Sequence, residues 1–175
     1  MENGKYCCES LAVKTSLVSP PDTNIHGTMF GGKLMAYIDD ISAIAAMRHA
    51  RKPVVTASSD SVDFLYPIHE GNSVCLEAYV TYTGRTSMEV FVKVVSENIV
   101  SGERHVCAVS FLTFVALDEA GKPSEVPQVI PQTEEEKHLH ETAKERLEIR
   151  KKRRKDSEER AKRFGTTYPW SNRAE

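Results

Sequence analysis

A chain of 175 residues is long enough for one domain with a substantial core and too short for two ordinary ones. Its residues are 40% hydrophobic and 27% charged, which are globular proportions, and a formal net charge of -2 excludes a generally basic nucleic-acid binder. Four cysteines (Cys7, Cys8, Cys75 and Cys107) show no Cys-x-x-Cys and no metal-ligand spacing, so free thiols in a reducing compartment are expected.

At the N-terminus no basic region precedes an apolar run, so a signal peptide is not expected. Residues Leu11 to Val18 are rich in β-branched side chains and predict a first strand, which Ser19-Pro20-Pro21-Asp22 ends because proline removes a ladder donor and fixes φ. A loop follows from Asn24, with an early glycine at Gly27 and the pair Gly31-Gly32. The spacing then predicts a helix from about Gly32 to His49, with Leu34, Met35, Ile38, Ile41, Ala45 and Ala46 covering more than one face. Such a helix is expected to be wrapped by other elements. Arg48, His49 and Arg51 suit its C-terminal end, and Pro53 stops it. Its most apolar stretch, Leu34 to Met47, is interrupted by Asp39 and Asp40 and is too short to span a bilayer. No membrane insertion and a cytoplasmic setting are therefore expected.

After Pro53 the period changes to two. Val54 to Tyr66, Ser73 to Thr83, Ser87 to Ser96 and Arg104 to Leu117 all alternate, with turn chemistry between them. The short separators favour antiparallel hairpins. Four long strands and one early strand around one helix give an α+β layer pair. Asp118 to Gln132 reads as a linker, with Pro123, Pro127 and Pro131. Thr133 to Arg163 reads as a long charged helix opening on the capping box Thr133-Glu134-Glu135-Glu136. Its basic run 151–155 is partly neutralised by Glu145, Glu148, Glu158 and Glu159. The chain thus divides into a domain over 1–125, a linker and charged helix over 126–163, and a tail over 164–175 expected to be disordered, with Tyr168 and Trp170 as candidate anchors.

Several residues in this pattern could carry chemistry. Met35, Asp39, Ser42 and Ala46 share one helical stripe, small or apolar apart from Asp39 and Ser42. A carboxylate on such a dry surface is driven towards the range of a general base, although a surface acid or a hydrogen-bonded core acid fits the pattern too. Gly31 and Gly32 leave N–H groups uncovered at a helix start, where they can stabilise an oxyanion; tight packing is the alternative. Asn24 can donate to a carbonyl or orient a water, or serve simply as a turn residue. Gly84-Arg85-Thr86-Ser87 offers a guanidinium and two hydroxyls for a phosphate or pantetheine, or is an ordinary hairpin turn. No cysteine has a visible activating partner, His26 is a loop residue, and His138 and His140 fail metal-ligand spacing.

Asn24-x-x-Gly27-x-x-Phe30-Gly31-Gly32-x-x-Met35-x-x-Ile38-Asp39, then Val55-Thr56-Ala57-Ser58 with Asp63-Phe64, then Gly84-Arg85-Thr86-Ser87-Met88, closely resembles the hotdog-fold acyl-CoA thioesterases over about residues 8 to 118. The resemblance implies an antiparallel sheet wrapped around a long central helix, here with a C-terminal helical extension, and two protomers sharing one continuous sheet. It further implies active sites at the dimer interface and often a trimer of dimers. In such enzymes the catalytic aspartate stands at Asp39 and the catalytic asparagine at Asn24, each from a different protomer. Gly32 would then be the oxyanion donor, and Gly31, Arg85, Thr86 and Ser87 would contact coenzyme A. Coenzyme A is part of substrate and product, so no separate cofactor and no metal are expected. Asp39 could act as general base or attack directly to give an acyl-enzyme anhydride. A non-catalytic acyl-CoA-binding regulatory protein is the alternative function. A hydratase is disfavoured because His49 lies at the wrong end of the helix.

Overall fold

The structure, a computed structural model, describes residues 4–166. In chain order the elements are β1 (Gly4–Tyr6), β2 (Ala12–Leu17), α1 (Gly31–Ala50), β3 (Val54–Phe64), β4 (Ser73–Thr83), β5 (Ser87–Glu97), β6 (Arg104–Ala116), β7 (Gln128–Ile130) and α2 (Glu134–Ala161). Short 3-10 turns at Cys7–Ser10 and Pro20–Asp22 flank β2. Five strands form one antiparallel sheet in the order β2-β4-β5-β6-β3, and α1 lies against it.

Alternation builds the buried face of the sheet. Val74, Leu76, Ala78 and Val80 of β4, with Met88, Val90, Val92 and Val94 of β5, are all fully buried. They share a core with Leu34, Ile38, Ile41, Ala45 and Ala46 of α1. Burying each of the three larger helix side chains stabilises the fold by about 1.5–3 kcal/mol. Helix α1 ends where Arg51 turns left-handed, at φ 53°, and its N–H caps the Met47 carbonyl at 2.8 Å.

The antiparallel sheet, the long helix and the C-terminal helix stand as expected, and three details differ within the single chain. The sheet covers only one side of α1, leaving Met35, Ile44 and Met47 at 50%, 40% and 43% exposure. One sheet meets one stripe of a helix, so the remaining apolar stripe faces out of the single chain. Second, the segment expected as linker contains β7, which pairs in parallel with β1 through Gly4–Gln128, Lys5–Val129 and Tyr6–Ile130. Three-residue strands carry too little alternation to be read from sequence.

Third, His49 does not serve the helix end as a solvated cation. It is fully buried, and its Nε2 lies 2.9 Å from the Pro127 carbonyl oxygen. Burial pushes its imidazole below the usual 6.5, outweighing the Pro127 bond, while Lys5 pushes down and Glu9 up. Above about pH 6.5 His49 is neutral both folded and unfolded; below it, the unfolded chain takes up the proton first. Stability is therefore expected to fall as pH drops below that point and to be insensitive to His49 above it. Thermal denaturation from about pH 8 to about pH 5, with His49→Gln alongside, checks this: the variant should show a shallower acid slope.

Helix α2 begins as expected. The Glu136 N–H donates to Thr133 Oγ1 at 3.2 Å, and the Thr133 N–H donates to Glu136 Oε2 at 3.0 Å. The Tyr79 hydroxyl donates to Glu135 at 2.8 Å, and His140 Nδ1 bonds the Thr81 carbonyl at 2.9 Å. His140 is thus a half-buried tie to β4. One compact unit runs to Glu141 and a second begins at Thr142. Within the second, Lys151–Glu148 and Arg154–Glu158 ion pairs neutralise part of the basic run. Tyr168 and Trp170 lie outside the described residues.

Candidate active site

The loop before α1 is built by Asn24. Its N–H donates to the Thr28 carbonyl at 2.8 Å, its Oδ1 accepts from the His26 N–H at 2.8 Å, and its Nδ2 donates to Thr28 Oγ1 at 3.0 Å. Gly27, at φ +69°, completes the turn in a conformation that side chains disfavour. The turn role is therefore real. It leaves the second Nδ2 hydrogen without a partner among the described residues, and Asn24 still lines a cleft of about 380 Å³ with Gly31, Leu34, Phe64, Leu65 and Tyr66.

At the start of α1 the Lys33 and Leu34 N–H groups both donate to the Phe30 carbonyl, at 2.9 and 3.1 Å. The Gly31 and Gly32 N–H groups precede them and have no acceptor among the described residues, as the geometry of a helix N-terminus dictates. Glycine also suits the packing there: a Cβ at Gly32 would stand 2.5 Å from the ring of Phe30, which would have to swing outward. Both readings of the glycine pair are thus compatible. Nearby, Asp22 pairs with Lys33 at 3.2 Å, and bonds from Ser19 and Lys33 hold its carboxyl below the usual range.

Asp39 is exposed in the single chain, as is Met35, whereas Ser42 and Ala46 are buried. The dry stripe expected around Asp39 is therefore split within one protomer. Ser42 donates back to the Ile38 carbonyl at 2.6 Å. The partner of Asp39 is Thr56 on β3, whose hydroxyl donates to Oδ1 at 3.1 Å. Thr56 lies inside a recognisable motif, yet no local pattern marks this contact, which needs the packing of α1 against an edge strand. Asp40 points elsewhere, 3.8 Å from Lys14, which also sits 4.1 Å over the Tyr37 ring. Asp39 and Asp40 line a second cleft of about 620 Å³ with Val13, Ile44 and Met47.

Asn24 and Asp39 thus line different clefts. From Gly31 to Asp39 is about 12 Å along the helix. Strand register orders the rest: Thr56 pairs with Phe114, which pairs with Met88, next to the Arg85-Thr86-Ser87 turn. Phe64, beside Gly31, pairs at the opposite end through Ala108 to Val94. Asp39, Thr56 and the turn therefore belong to one half of the chain, Asn24 and the glycine pair to the other. In that turn Arg85 is exposed and Thr86 and Ser87 are half-buried.

The other candidates fall away. All four cysteines are free thiols; burial pushes Cys7 up to about 12 and raises Cys107 as well, so neither supplies a thiolate. His26 is exposed. Among the described residues no cluster of three or more acidic, histidine or cysteine side chains has the geometry to hold a metal.

Residues 26–103 match the family model of the Thioesterase superfamily. The chain is 59% identical to the uncharacterized acyl-CoA thioester hydrolase YkhA of Bacillus subtilis, over 95% of this chain and 96% of that one. A crystal structure of an apo-hexameric acyl-CoA thioesterase is similar at TM-score 0.84 and 58% identity, covering 86% of this chain and 96% of that one. An acyl-CoA hydrolase from Staphylococcus aureus, in complex with butyryl coenzyme A and coenzyme A, is similar at TM-score 0.87 and 48% identity, covering 91% and 97%. The Staphylococcus aureus protein is also known as three single variants, in which an aspartate, a threonine or an asparagine is replaced by alanine.

Proposed function

Because the chain belongs to the thioesterase superfamily, among acyl-CoA thioester hydrolases that match it over nearly its whole length, we infer that it hydrolyses acyl-CoA to the free acid and coenzyme A. The observation that carries the mechanism is the split site: a carboxylate held by Thr56 in one half of the chain and uncovered helix N–H groups in the other. Two copies related by a two-fold axis bring each half to its complement. The exposed edge strand β3 and the uncovered stripe of α1 supply the surface for that pairing, giving one continuous sheet. A trimer of such dimers agrees with the hexamer of the similar thioesterase.

In the composite site the acyl carbonyl points at the α1 N-terminus, where the Gly32 N–H meets the oxygen as it becomes anionic. Asn24 of the same protomer positions the carbonyl or the water with its spare amide hydrogen. Asp39 of the partner subunit takes a proton from water, whose oxygen adds to the carbonyl carbon. Collapse of the tetrahedral intermediate breaks the C–S bond, and the departing thiolate recovers the proton. Thr56 fixes the Asp39 carboxylate in one orientation. The aspartate, threonine and asparagine replaced in the Staphylococcus aureus enzyme are spaced along that chain as Asp39, Thr56 and Asn24 are along this one, which supports these assignments.

Coenzyme A is held by Arg85, through its phosphates, and by Thr86, Ser87 and Gly31, through pantetheine. It enters as part of the substrate and leaves as product, and no step calls for another cofactor or a metal. Four free thiols, and no described helix long and apolar enough to cross a membrane, suit work in the cytoplasm.

Release of free thiol from butyryl-CoA and palmitoyl-CoA tests the reading. Catalytic thiol release from at least one of them is expected. Tight binding of both without thiol release would make the protein an acyl-CoA sensor instead.

A further inference from the structure

The segment after β6 has no part in the reaction described above, yet it is stitched to two functional elements. On one side the Ser124 N–H donates to the Ala116 carbonyl at 2.8 Å, the Val126 N–H to the Arg85 carbonyl at 3.1 Å, and the Val129 N–H to Thr83 Oγ1 at 3.1 Å. On the other side Lys52 Nζ donates to Ser124 Oγ and to the Glu125 carbonyl, both at 2.8 Å, and His49 Nε2 meets the Pro127 carbonyl at 2.9 Å. Val126 and Val129 are buried beneath it. Residues 124–129 are thus a strap joining the C-terminal end of α1 to the turn between β4 and β5.

The chemistry of the His49 contact is one-sided. A carbonyl only accepts, so Nε2 carries the proton, and the buried Nδ1 has no partner. The Pro127 contact is the ring's one hydrogen bond among the described residues. Lys5 braces the same place by donating to the His49 carbonyl at 2.7 Å. Within the hairpin the Ser87 carbonyl accepts from the Gly84 N–H at 2.8 Å; from outside it, Thr86 accepts from the Ala116 N–H at 3.0 Å, within the sheet, and Arg85 accepts from Val126, within the strap. Without the strap, the Arg85 backbone keeps no hydrogen bond outside its own hairpin among the described residues.

We propose that His49 and Lys52 are positioning residues for coenzyme A, acting through the strap 124–129 to hold the Arg85-Thr86-Ser87 turn in the conformation that meets the nucleotide phosphates. The proposal rests on the assignment of that turn to coenzyme A. Neither residue touches the substrate. Both set where the Arg85 backbone stands, and through it where the guanidinium can reach. A misplaced guanidinium costs binding of the nucleotide end, common to ground and transition states, so it raises KM and leaves kcat in place.

Steady-state kinetics on two thioesters test it: butyryl-CoA, and butyryl-N-acetylcysteamine, which has the same acyl group and no nucleotide. Lys52→Met and His49→Leu, which both remove the donor, should each raise KM for butyryl-CoA about three- to tenfold, the loss of a bridging hydrogen bond, at nearly unchanged kcat. Turnover of the short thioester should not change, and Lys52→Arg should restore much of the loss. His49 is buried and its variant is exposed to misfolding; Lys52 is half-buried, so Lys52→Met keeps the test valid on its own. Equal losses on both thioesters, or an unchanged KM for butyryl-CoA in Lys52→Met, overturn the proposal. Arg85→Ala measured in parallel separates the two levels. If it leaves KM for butyryl-CoA unaltered, the assignment of the turn falls, and the strap with it. If it raises KM while the strap variants do not, only the strap proposal falls.

Discussion

Replacing Asp39 with asparagine is expected to lower kcat on acyl-CoA by about 10²- to 10⁴-fold, the usual worth of a positioned general base. Asparagine has the same shape, and its amide oxygen can still accept from the Thr56 hydroxyl that holds Oδ1 at 3.1 Å. What it lacks is the capacity to take a proton from water. Because the exchange keeps the shape of the side chain and the bond from Thr56, the melting temperature should stay close to that of the parent. Steady-state thiol release and thermal denaturation on the same preparation check both halves. Turnover close to wild type would remove Asp39 from the chemistry altogether.

Asn24→Ala should cost about 10²-fold in kcat, the loss of one donor or of one well-placed orienting group. Here the structural and chemical parts must be separated, because Asn24 also builds its own loop through His26 and Thr28. Thr28→Ala removes the hydrogen bond from Nδ2 but keeps the amide, so it reports the cost of loosening the turn alone. A loss in Thr28→Ala well below that in Asn24→Ala assigns the difference to the amide. Equal losses in the two variants would reduce Asn24 to a turn residue.

Much of this architecture was legible from sequence because the long strands alternate cleanly and carry their turn residues in place. Ser73–Thr83 matches its expected bounds, and Val54–Phe64, Ser87–Glu97 and Arg104–Ala116 lie within two residues of theirs. The capping box of α2 likewise needs only four residues to be read. What escaped depends on contacts between distant residues. The three-residue strands β1 and β7 exist because Gly4–Tyr6 and Gln128–Ile130 meet across the fold, and no local pattern marks either.

The surroundings of His49 and Asp39 escaped for related reasons. A basic residue near a helix end ordinarily faces solvent, but His49 falls on the side of α1 that the strap covers. Around Asp39, the spacing of the helical stripe holds but a single chain does not bury all of it, since the sheet covers Ser42 and Ala46 and stops short of Met35 and Asp39. Covering the rest takes a second copy of the chain, whose position no single sequence encodes locally. The motif order around Asn24, Gly31-Gly32 and Asp39 did carry the family. The hydrogen bond from Thr56 and the division of the site between two clefts required coordinates.

The central claim, that Asn24 and Asp39 of one chain serve different active sites, is tested most directly by mixing. Asn24→Ala and Asp39→Asn proteins, each nearly inactive alone, are dissociated together and allowed to reassociate. A mixed dimer holds one doubly altered site and one intact site, so random reassociation should recover about a quarter of wild-type turnover. A mixture no more active than its parents, in a sample where mass measurement finds the mixed dimer, would contradict the shared site.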